Sequence, residues 1–199
     1  HPIEQAGRDD SLRVRKERAH RDRHPGRRRR RLSENPPAVG PALKEFFPEV
    51  EQSARLIIIP SVIQSGALLT QEDIALADPA FLELFSFPVV RGEKNALADP
   101  SAIFLTRSAA AKYFGREDPL DRVLTITIRG SKKDVRVAGI LEDIPANSTI
   151  RFEVLAAISN AEVIRGPETL RLWTSSMAET YIRLCPGASC RYLLPELQV

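Results

Sequence analysis

The stretch ADPAFLELFSFPVVRGEKNALADPSAIFLTRSAAAKYFG, residues 77–115, holds the densest group of aromatic residues in the chain. Aromatic side chains bury more area per residue than others, so their grouping predicts where a core forms. No set of acid, base, nucleophile and metal-ligand side chains accompanies them. We therefore expect a domain that packs and couples rather than one that catalyses. The aromatic residues are Phe81, Phe85, Phe87, Phe104, Tyr113 and Phe114.

The first half of this stretch predicts a short helix with an apolar face. Asp78 is predicted to be its N-cap, and Pro79 its first helical residue, where the missing N–H costs nothing. Phe81 and Phe85 are four positions apart and therefore share one side of the helix. Pro88 ends the helix because proline cannot continue its hydrogen bonds.

The second half predicts a strand followed by a capped helix. Residues 102–105 are apolar, Thr106 has the side chain that an N-cap requires, and Gly115 suits a left-handed residue at the end of the helix. Together the two halves predict a wedge of helix, strand and capped helix. Its predicted core residues are Phe81, Leu84, Phe85, Phe87, Tyr113 and Phe114.

Outside this stretch the pattern indicates several further strands. The segment LTITI, residues 124–128, alternates apolar and polar side chains, and the turn GSKKD precedes a second strand, so an antiparallel hairpin is predicted around 124–140. Other predicted strands cover residues 55–59, 73–77, 151–158 and 179–184, and predicted helices cover 42–47 and 161–176, the latter interrupted at Gly166. This mixture predicts an α+β fold.

Charge divides the chain into two parts. Residues 1–31 contain 12 Lys and Arg against 5 Asp and Glu, whereas the remaining 168 residues contain 17 against 21. The first part has few large apolar residues, which predicts a basic, disordered tail that is either native or foreign to the protein. A run of arginines can bind nucleic acid or an anionic membrane surface, but no aromatic residues are interleaved for base stacking, so no specific nucleic acid is expected.

No enzyme, cofactor or metal site is predicted. The three histidines lie within the first 24 residues, and no glycine-rich phosphate-binding motif is present. The acidic pairs beginning at Glu72, Glu117 and Glu142 fall at element edges or in turns, where solvated carboxylates are normal. Cys185 and Cys190 could close a small disulfide loop in an oxidising compartment, or remain two unrelated thiols. No apolar run reaches the ~20 residues of a membrane span.

Three blocks taken in order resemble the MacB-like periplasmic core domain, the extracytoplasmic insertion of FtsX/MacB-type ABC transporter permeases. The blocks are FPEVEQSARL (47–56), the segment from DPAFLELF to REDPL (78–120) and VRVAGILEDIPANSTIRFEVLAAIS (135–159). The resemblance spans roughly residues 41–184. Asp121 and Arg122 stand where the family commonly has Gly-Lys, so that turn must form without glycine.

The resemblance implies a βαβ-type lobe with a smaller β-rich lobe, in a domain covering residues 32–199 that is truncated at its C-terminal end. It also implies a bacterial inner-membrane protein with this domain on the periplasmic side. The expected partners are a cytoplasmic ATPase, reached through membrane segments, and a second permease copy. A periplasmic adaptor is a further candidate partner. The expected function is non-catalytic coupling of ATP-driven helix movement to substrate handling or partner docking. The alternative is a free-standing binding module that uses the arginine-rich tail for an acidic polymer or anionic membrane surface.

Overall fold

The computed structural model describes residues 13–15 and 29–188. Its ten strands are β1 (Arg13–Arg15), β2 (Arg29–Asn35), β3 (Val50–Ser65), β4 (Leu68–Ala77), β5 (Val89–Gly92), β6 (Ala102–Thr106), β7 (Val123–Ile128), β8 (Ser131–Leu141), β9 (Val154–Ala157) and β10 (Ala178–Leu184). Its four α-helices are α1 (Val39–Phe46), α2 (Phe81–Leu84), α3 (Arg107–Phe114) and α4 (Glu162–Arg165). Short 3₁₀ turns cover Lys94–Ala98, Ile158–Ala161 and Pro167–Arg171. The chain thus has the mixed α+β fold that the sequence predicts.

Six strands form a closed circuit of pairing. β3 pairs with β4 and β7, β4 with β9, β9 with β6, β6 with β8, and β8 with β7. The β6–β8 and β4–β9 pairs are parallel, and α3 and β7 lie between β6 and β8 in the chain, so a helix and a further strand connect this parallel pair. The predicted 124–140 hairpin is the antiparallel β7–β8 pair.

The interior of this ring is the largest apolar cluster of the domain. All six strands contribute to it, for example with Ile63, Ile74, Leu105, Ile126 and Val137. Alternate side chains of a strand point to opposite faces, so each ring strand directs every second residue inward. The apolar face of α3 packs on the same cluster. The ring is therefore a filled core and not a channel.

A second cluster lies on the outer face of the ring, under α2 and the loops near it. Phe81, Leu84 and Phe85 belong to it, together with Leu56 of β3 and Phe104 of β6. Tyr113 and Phe114 belong to the interior cluster instead. The predicted single wedge is therefore wrong, because β6 separates its two halves and their side chains pack on opposite faces of the sheet.

The first half of β3 leaves the ring and joins a separate part of the sheet. There β3 pairs with β10, which pairs with β2, and α1 covers one face with a third apolar cluster. Residues 29–31, which the sequence analysis assigns to the tail, are the first residues of β2. Residues 13–15 form β1, which pairs with β2. The rest of the basic segment lies outside the described residues.

Two strands are much longer than predicted. The sequence predicts strands at 55–59 and 73–77, whereas β3 covers Val50–Ser65 and β4 covers Leu68–Ala77. Proline lacks the N–H of a sheet ladder and usually ends a central strand, which is why the prediction stopped before Pro60. Pro60 is accommodated because it lies between the residues that pair with β10 and those that pair with β7.

Candidate functional site

Asp78 does not cap α2, contrary to the sequence prediction. The N-cap of α2 is Ala80, without a side-chain hydrogen bond. The Asp78 carboxylate instead accepts two hydrogen bonds from the Arg55 guanidinium, Nε to Oδ2 at 2.9 Å and Nη2 to Oδ1 at 2.9 Å. It also accepts one from the Arg55 backbone N–H at 2.8 Å. Asp78 therefore fixes the end of β4 against β3 rather than the start of a helix.

Arg55 is buried, with 8% of its surface exposed, and it connects four segments of the domain. Its Nη1 donates to the carbonyl oxygens of Pro37, just before α1, and of Leu170, in the last 3₁₀ turn, at 3.0 and 3.2 Å. A buried charge requires this degree of pairing to offset its lost hydration. A side chain at Gly40 would place its Cβ 2.8 Å from Arg55 Cγ, so the close contact of α1 with Arg55 requires glycine.

Buried polar side chains extend this contact to the strands at the edge of the domain. Thr180 of β10 lies opposite Arg55 in the β3–β10 register. Its hydroxyl donates to Asn35 Oδ1 of β2 at 2.8 Å, and Asn35 Nδ2 donates to the Leu32 carbonyl at 2.7 Å. Thr180 and Asn35 are fully buried. We call the four residues Asn35, Thr180, Arg55 and Asp78 the polar path, since they run from β2 across β10 and β3 to the end of β4.

Sequence reasoning missed the polar path because its partners are far apart in the chain. Arg55 precedes Asp78 by 23 residues, and Thr180 and Asn35 are 145 residues apart. One signal was available: Arg55 is a single charge at the start of the apolar strand segment LIIIP, where an unpaired arginine would be unfavourable. That signal implies a buried partner but does not identify it.

The α3 helix is held at both ends by polar groups. The Thr106 hydroxyl accepts from the Ala109 N–H at 3.2 Å, which makes Thr106 the N-cap. The N–H of Ser108, in the first turn of the helix, donates to the Asp143 carboxylate at 2.8 Å. The Ser108 hydroxyl donates to the same carboxylate, also at 2.8 Å. These donors hold the pKa of Asp143 below its usual value. Gly115 ends the helix with φ 61° and ψ −114°, which is positive in φ but outside the left-handed helical region.

Tyr113 and Lys112, in the last turn of α3, face the hairpin formed by β3 and β4. The Tyr113 side chain is buried, and its pKa is raised first by that burial and then by the nearby Glu72 carboxylate. No described group meets hydrogen-bond geometry with its hydroxyl. The Lys112 ammonium pairs with Glu72 of β4, which raises the pKa of Lys112. Ser65 Oγ donates to the Tyr113 carbonyl at 3.2 Å. These contacts connect the end of α3 to the hairpin.

The other predicted core residues are aromatic neighbours on the outer face of the ring. The rings of Phe81 and Phe85 are 4.9 Å apart, and Phe87 stacks on Phe81 at 5.7 Å. Tyr181 of β10 contacts Phe85 edge-on at 4.8 Å. Leu84 is fully buried in the same cluster. Phe87 and Phe114 are half-buried at the margins of their clusters.

Asp121 forms the turn in which the sequence lacks the glycine common in the family. Its φ is 61°, a conformation that aspartate tolerates better than most residues. Its backbone N–H donates to the Val137 carbonyl at 2.9 Å, and its carboxylate pairs with Arg136 at 2.7 Å. The turn thus forms with the same sign of φ that a glycine would adopt.

The described residues contain no group of three or more His, Cys, Asp and Glu side chains placed to hold a metal ion. Within the same residues, no helix is both long enough and apolar enough to cross a bilayer. The Sγ atom of Cys185 lies 3.6 Å from the Pro48 carbonyl oxygen, and the described residues contain no second cysteine. Cys190 lies outside the described residues, so its predicted pairing alternatives stay open, as does the helix predicted to begin at residue 191.

The class of domain is defined by the six-stranded ring, the helix-containing connection between parallel strands β6 and β8, and the appended β2–β10 sheet. Comparison of the sequence with protein families identifies this class. The chain belongs to the family of MacB-like periplasmic core domains, whose model matches residues 1–191. This match is wider than the 41–184 resemblance and includes the arginine-rich segment. Members of this family are periplasmic domains of ABC transporter permeases.

Solved structures of related domains share the fold. A domain of a protein described as a permease from Porphyromonas gingivalis is 27% identical, with a TM-score of 0.68, over 81% of this chain and 74% of that one. The periplasmic region of MacB from Actinobacillus actinomycetemcomitans is 11% identical, with a TM-score of 0.63, over 99% and 86%. The extracellular domain of the ABC-type transporter YknZ from Gram-positive bacteria is 12% identical, with a TM-score of 0.57, over 92% and 88%. No curated protein sequence matches the chain.

Proposed function

We propose that this domain transmits movement between the membrane helices of an ABC permease and the periplasmic surface that handles substrate or docks a partner. It does so without catalysing a reaction itself. ATP is consumed by a cytoplasmic ATPase that associates with the permease, and the permease works as a dimer in the bacterial inner membrane. The family supports the transporter class, while the position of the polar path supports the coupling role.

The observation that carries this proposal is the arrangement of β2 and β10. They are antiparallel neighbours, and Arg29 at the start of β2 lies opposite Arg183 near the end of β10. Because β1 pairs with β2 in turn, the first and the last described strands of the chain lie in the same part of the sheet, which suits an insertion between two membrane helices. A displacement of either flanking helix would reach this part of the sheet, formed by β1, β2 and β10, first.

The polar path gives that displacement a stiff route to the ring. Asn35 and Thr180 join β2 to β10, β10 pairs with β3, and the Arg55 guanidinium holds β3 to Asp78 at the end of β4. Buried hydrogen bonds with charged groups are costly to break, because the separated groups lose both their partner and hydration. The two parts of the sheet should therefore move together rather than bend at their junction.

A first experiment tests the transporter class. The purified chain should hydrolyse no ATP, and the intact permease that contains it should copurify with an ATPase subunit. Failure of the intact permease to recruit an ATPase would remove the central claim.

A second experiment tests coupling in the intact, reconstituted permease. Thr180→Val removes the buried hydroxyl of the polar path with little change in shape. We expect it to lower the amount of substrate moved per ATP hydrolysed while assembly with the ATPase is retained. The matched control is Thr127→Val on the outer face of β7, a half-buried threonine remote from the path. Equal losses in both variants would contradict the role assigned to the polar path.

A further inference from the structure

The edge of β4 differs from the open edges of β5, β8 and the middle of β3. β4 pairs with β3 along its whole length, in ten consecutive pairs without a bulge. On its other side it pairs with β9 only from Ile74 to Ala77. No described strand pairs with residues 68–73 on that side. Residues 68–73, six of the ten residues of β4, therefore present a regular row of backbone donors and acceptors at an edge.

Three other open edges carry features that prevent strand pairing. Short length, lysine, proline and bulges all protect an edge from adding a strand. β5 is four residues long and pairs through a bulge, and Arg91 lies on it. The first half of β8, before its pairing with β6, carries Lys132 and Lys133. The interval of β3 between its two partners contains Pro60.

The open part of β4 carries no lysine, proline or bulge, and it is apolar at one end. Leu68 and Leu69 are 43% and 64% exposed, the latter being the most exposed large apolar residue of the described chain. At the other end are two carboxylates, Glu72, paired with Lys112, and Asp73, for which the described residues supply no ion pair. A strand with exposed leucines and an unprotected edge would promote aggregation unless a partner covers it.

We propose that residues 68–73 of β4 form a docking edge for an extended segment of a periplasmic partner protein. This inference deepens the docking part of the proposed function and rests on it. Only an extended polypeptide can satisfy a row of backbone donors and acceptors, which fixes the kind of occupant. The side chains define it further: apolar residues lie against Leu68 and Leu69, and a lysine or arginine lies against Asp73.

The test is direct binding of labelled peptides to the purified chain, measured by fluorescence anisotropy. The probes are two short labelled peptides of alternating valine and threonine, one with two lysines at its C-terminal end and one with them at its N-terminal end. A parallel strand places the first peptide's lysines at Asp73, and an antiparallel strand places the second's there. We expect one peptide to bind and to slow backbone hydrogen exchange at residues 68–73. A peptide of the same composition with prolines at alternate positions should not bind.

Substitutions in the chain test whether the peptide binds at this edge. Leu69→Lys adds a protecting charge without disturbing the β3 ladder and should weaken binding about tenfold or more. The matched control is Val90→Lys on the β5 edge, where the valine is 39% exposed, and it should leave affinity unchanged. Asp73→Lys should reverse the preference, so that a peptide with glutamates in place of lysines binds better. This reversal would not follow from a merely structural role.

Three results would overturn the proposal. They are the absence of peptide binding, binding that Val90→Lys weakens as much as Leu69→Lys, and self-association of the chain that Leu69→Lys abolishes, which would make a second copy the occupant. Each differs from failure of the proposed function, because ATPase recruitment and transport coupling are measured in the intact permease and do not depend on these peptides.

Discussion

The Arg55 guanidinium and the Asp78 carboxylate face each other in a two-point hydrogen-bonded pair, with Nε–Oδ2 and Nη2–Oδ1 distances of 2.9 Å. The side chains are 10% and 19% exposed, so both charges are largely removed from water. A buried pair of this kind contributes little relative to an apolar replacement, but loss of one member is costly because the other charge remains buried. This asymmetry gives the pair a clear experimental signature.

Asp78→Asn should destabilise the isolated domain by about 3 kcal/mol, because it leaves the Arg55 charge without a counter-charge. Chemical denaturation followed by circular dichroism measures the change. The double variant Arg55→Met with Asp78→Asn should recover part of the loss, since it removes the stranded charge. The control Asp118→Asn breaks the solvent-exposed pair with Arg91 and should leave the transition nearly unchanged. A double variant less stable than Asp78→Asn would contradict the claim that an unpaired Arg55 charge causes the loss of stability.

Phe81→Ala should cost about 3 to 5 kcal/mol, as expected for a phenylalanine removed from a close-packed core. Phe81 is fully buried, with its ring 4.9 Å from that of Phe85 and 6.3 Å from that of Tyr181. Thermal unfolding of the variant should remain cooperative at a lower midpoint. Phe46→Ala serves as control, because Phe46 is 38% exposed on α1 and should shift the midpoint much less.

Asp143→Asn should weaken the start of α3 by about 1 kcal/mol, the usual contribution of a helix cap. Because the pKa of Asp143 is lowered in the folded protein, its stabilisation is present above the unfolded-state pKa of about 4 and is lost as the pH falls through the folded-state pKa. The stability difference between wild type and variant should thus be greatest at neutral pH and shrink in acid. A difference that stays constant from neutral to strongly acidic pH would argue against this role.

Tyr113→Phe should leave the domain as stable or about 1 kcal/mol more stable at neutral pH, since it removes a buried hydroxyl that lacks a hydrogen bond. Burial raises the pKa of Tyr113, so the wild type loses stability as the pH rises above the ordinary tyrosine value of about 10 toward the folded-state pKa. The phenylalanine variant should lose less over the same range. Unfolding free energies measured from neutral to alkaline pH compare the two. A clear loss at neutral pH would show that the hydroxyl has a partner.

Local signals predicted those parts of the fold that depend on local hydrogen bonds and side-chain spacing. The Thr106 cap, the β7–β8 hairpin and the burial of Phe81 and Phe85 follow from residues close together in the chain. The Asp78 prediction failed because a carboxylate before Pro79 satisfies the capping pattern equally well whether or not a distant arginine is present. Arg55 competes with the helix N-terminus for the Asp78 carboxylate, and this competition cannot be inferred from the residues next to Asp78.

The closed ring was beyond sequence reasoning for a related reason. It depends on the β3–β7 pairing, which joins Val62 to Thr127 and becomes possible only because β3 continues past Pro60. A proline inside an apolar run predicts the end of a strand when read locally. The separation of Phe85 and Tyr113 onto opposite faces of the sheet is likewise a property of the ring and not of the stretch that contains them.

The side-by-side arrangement of Arg29 and Arg183 also determines how the domain would fail under tension. Once the three-residue β1 has separated from β2, force that pulls the entering and leaving segments apart acts at one end of the β2–β10 ladder, so its hydrogen bonds break one after another rather than together. Such unzipping needs less force than sliding two strands past each other along their length. The appended sheet would therefore unfold before the six-stranded ring and its filled core. The force at which its outer strands separate would set an upper limit on the load that reaches the ring.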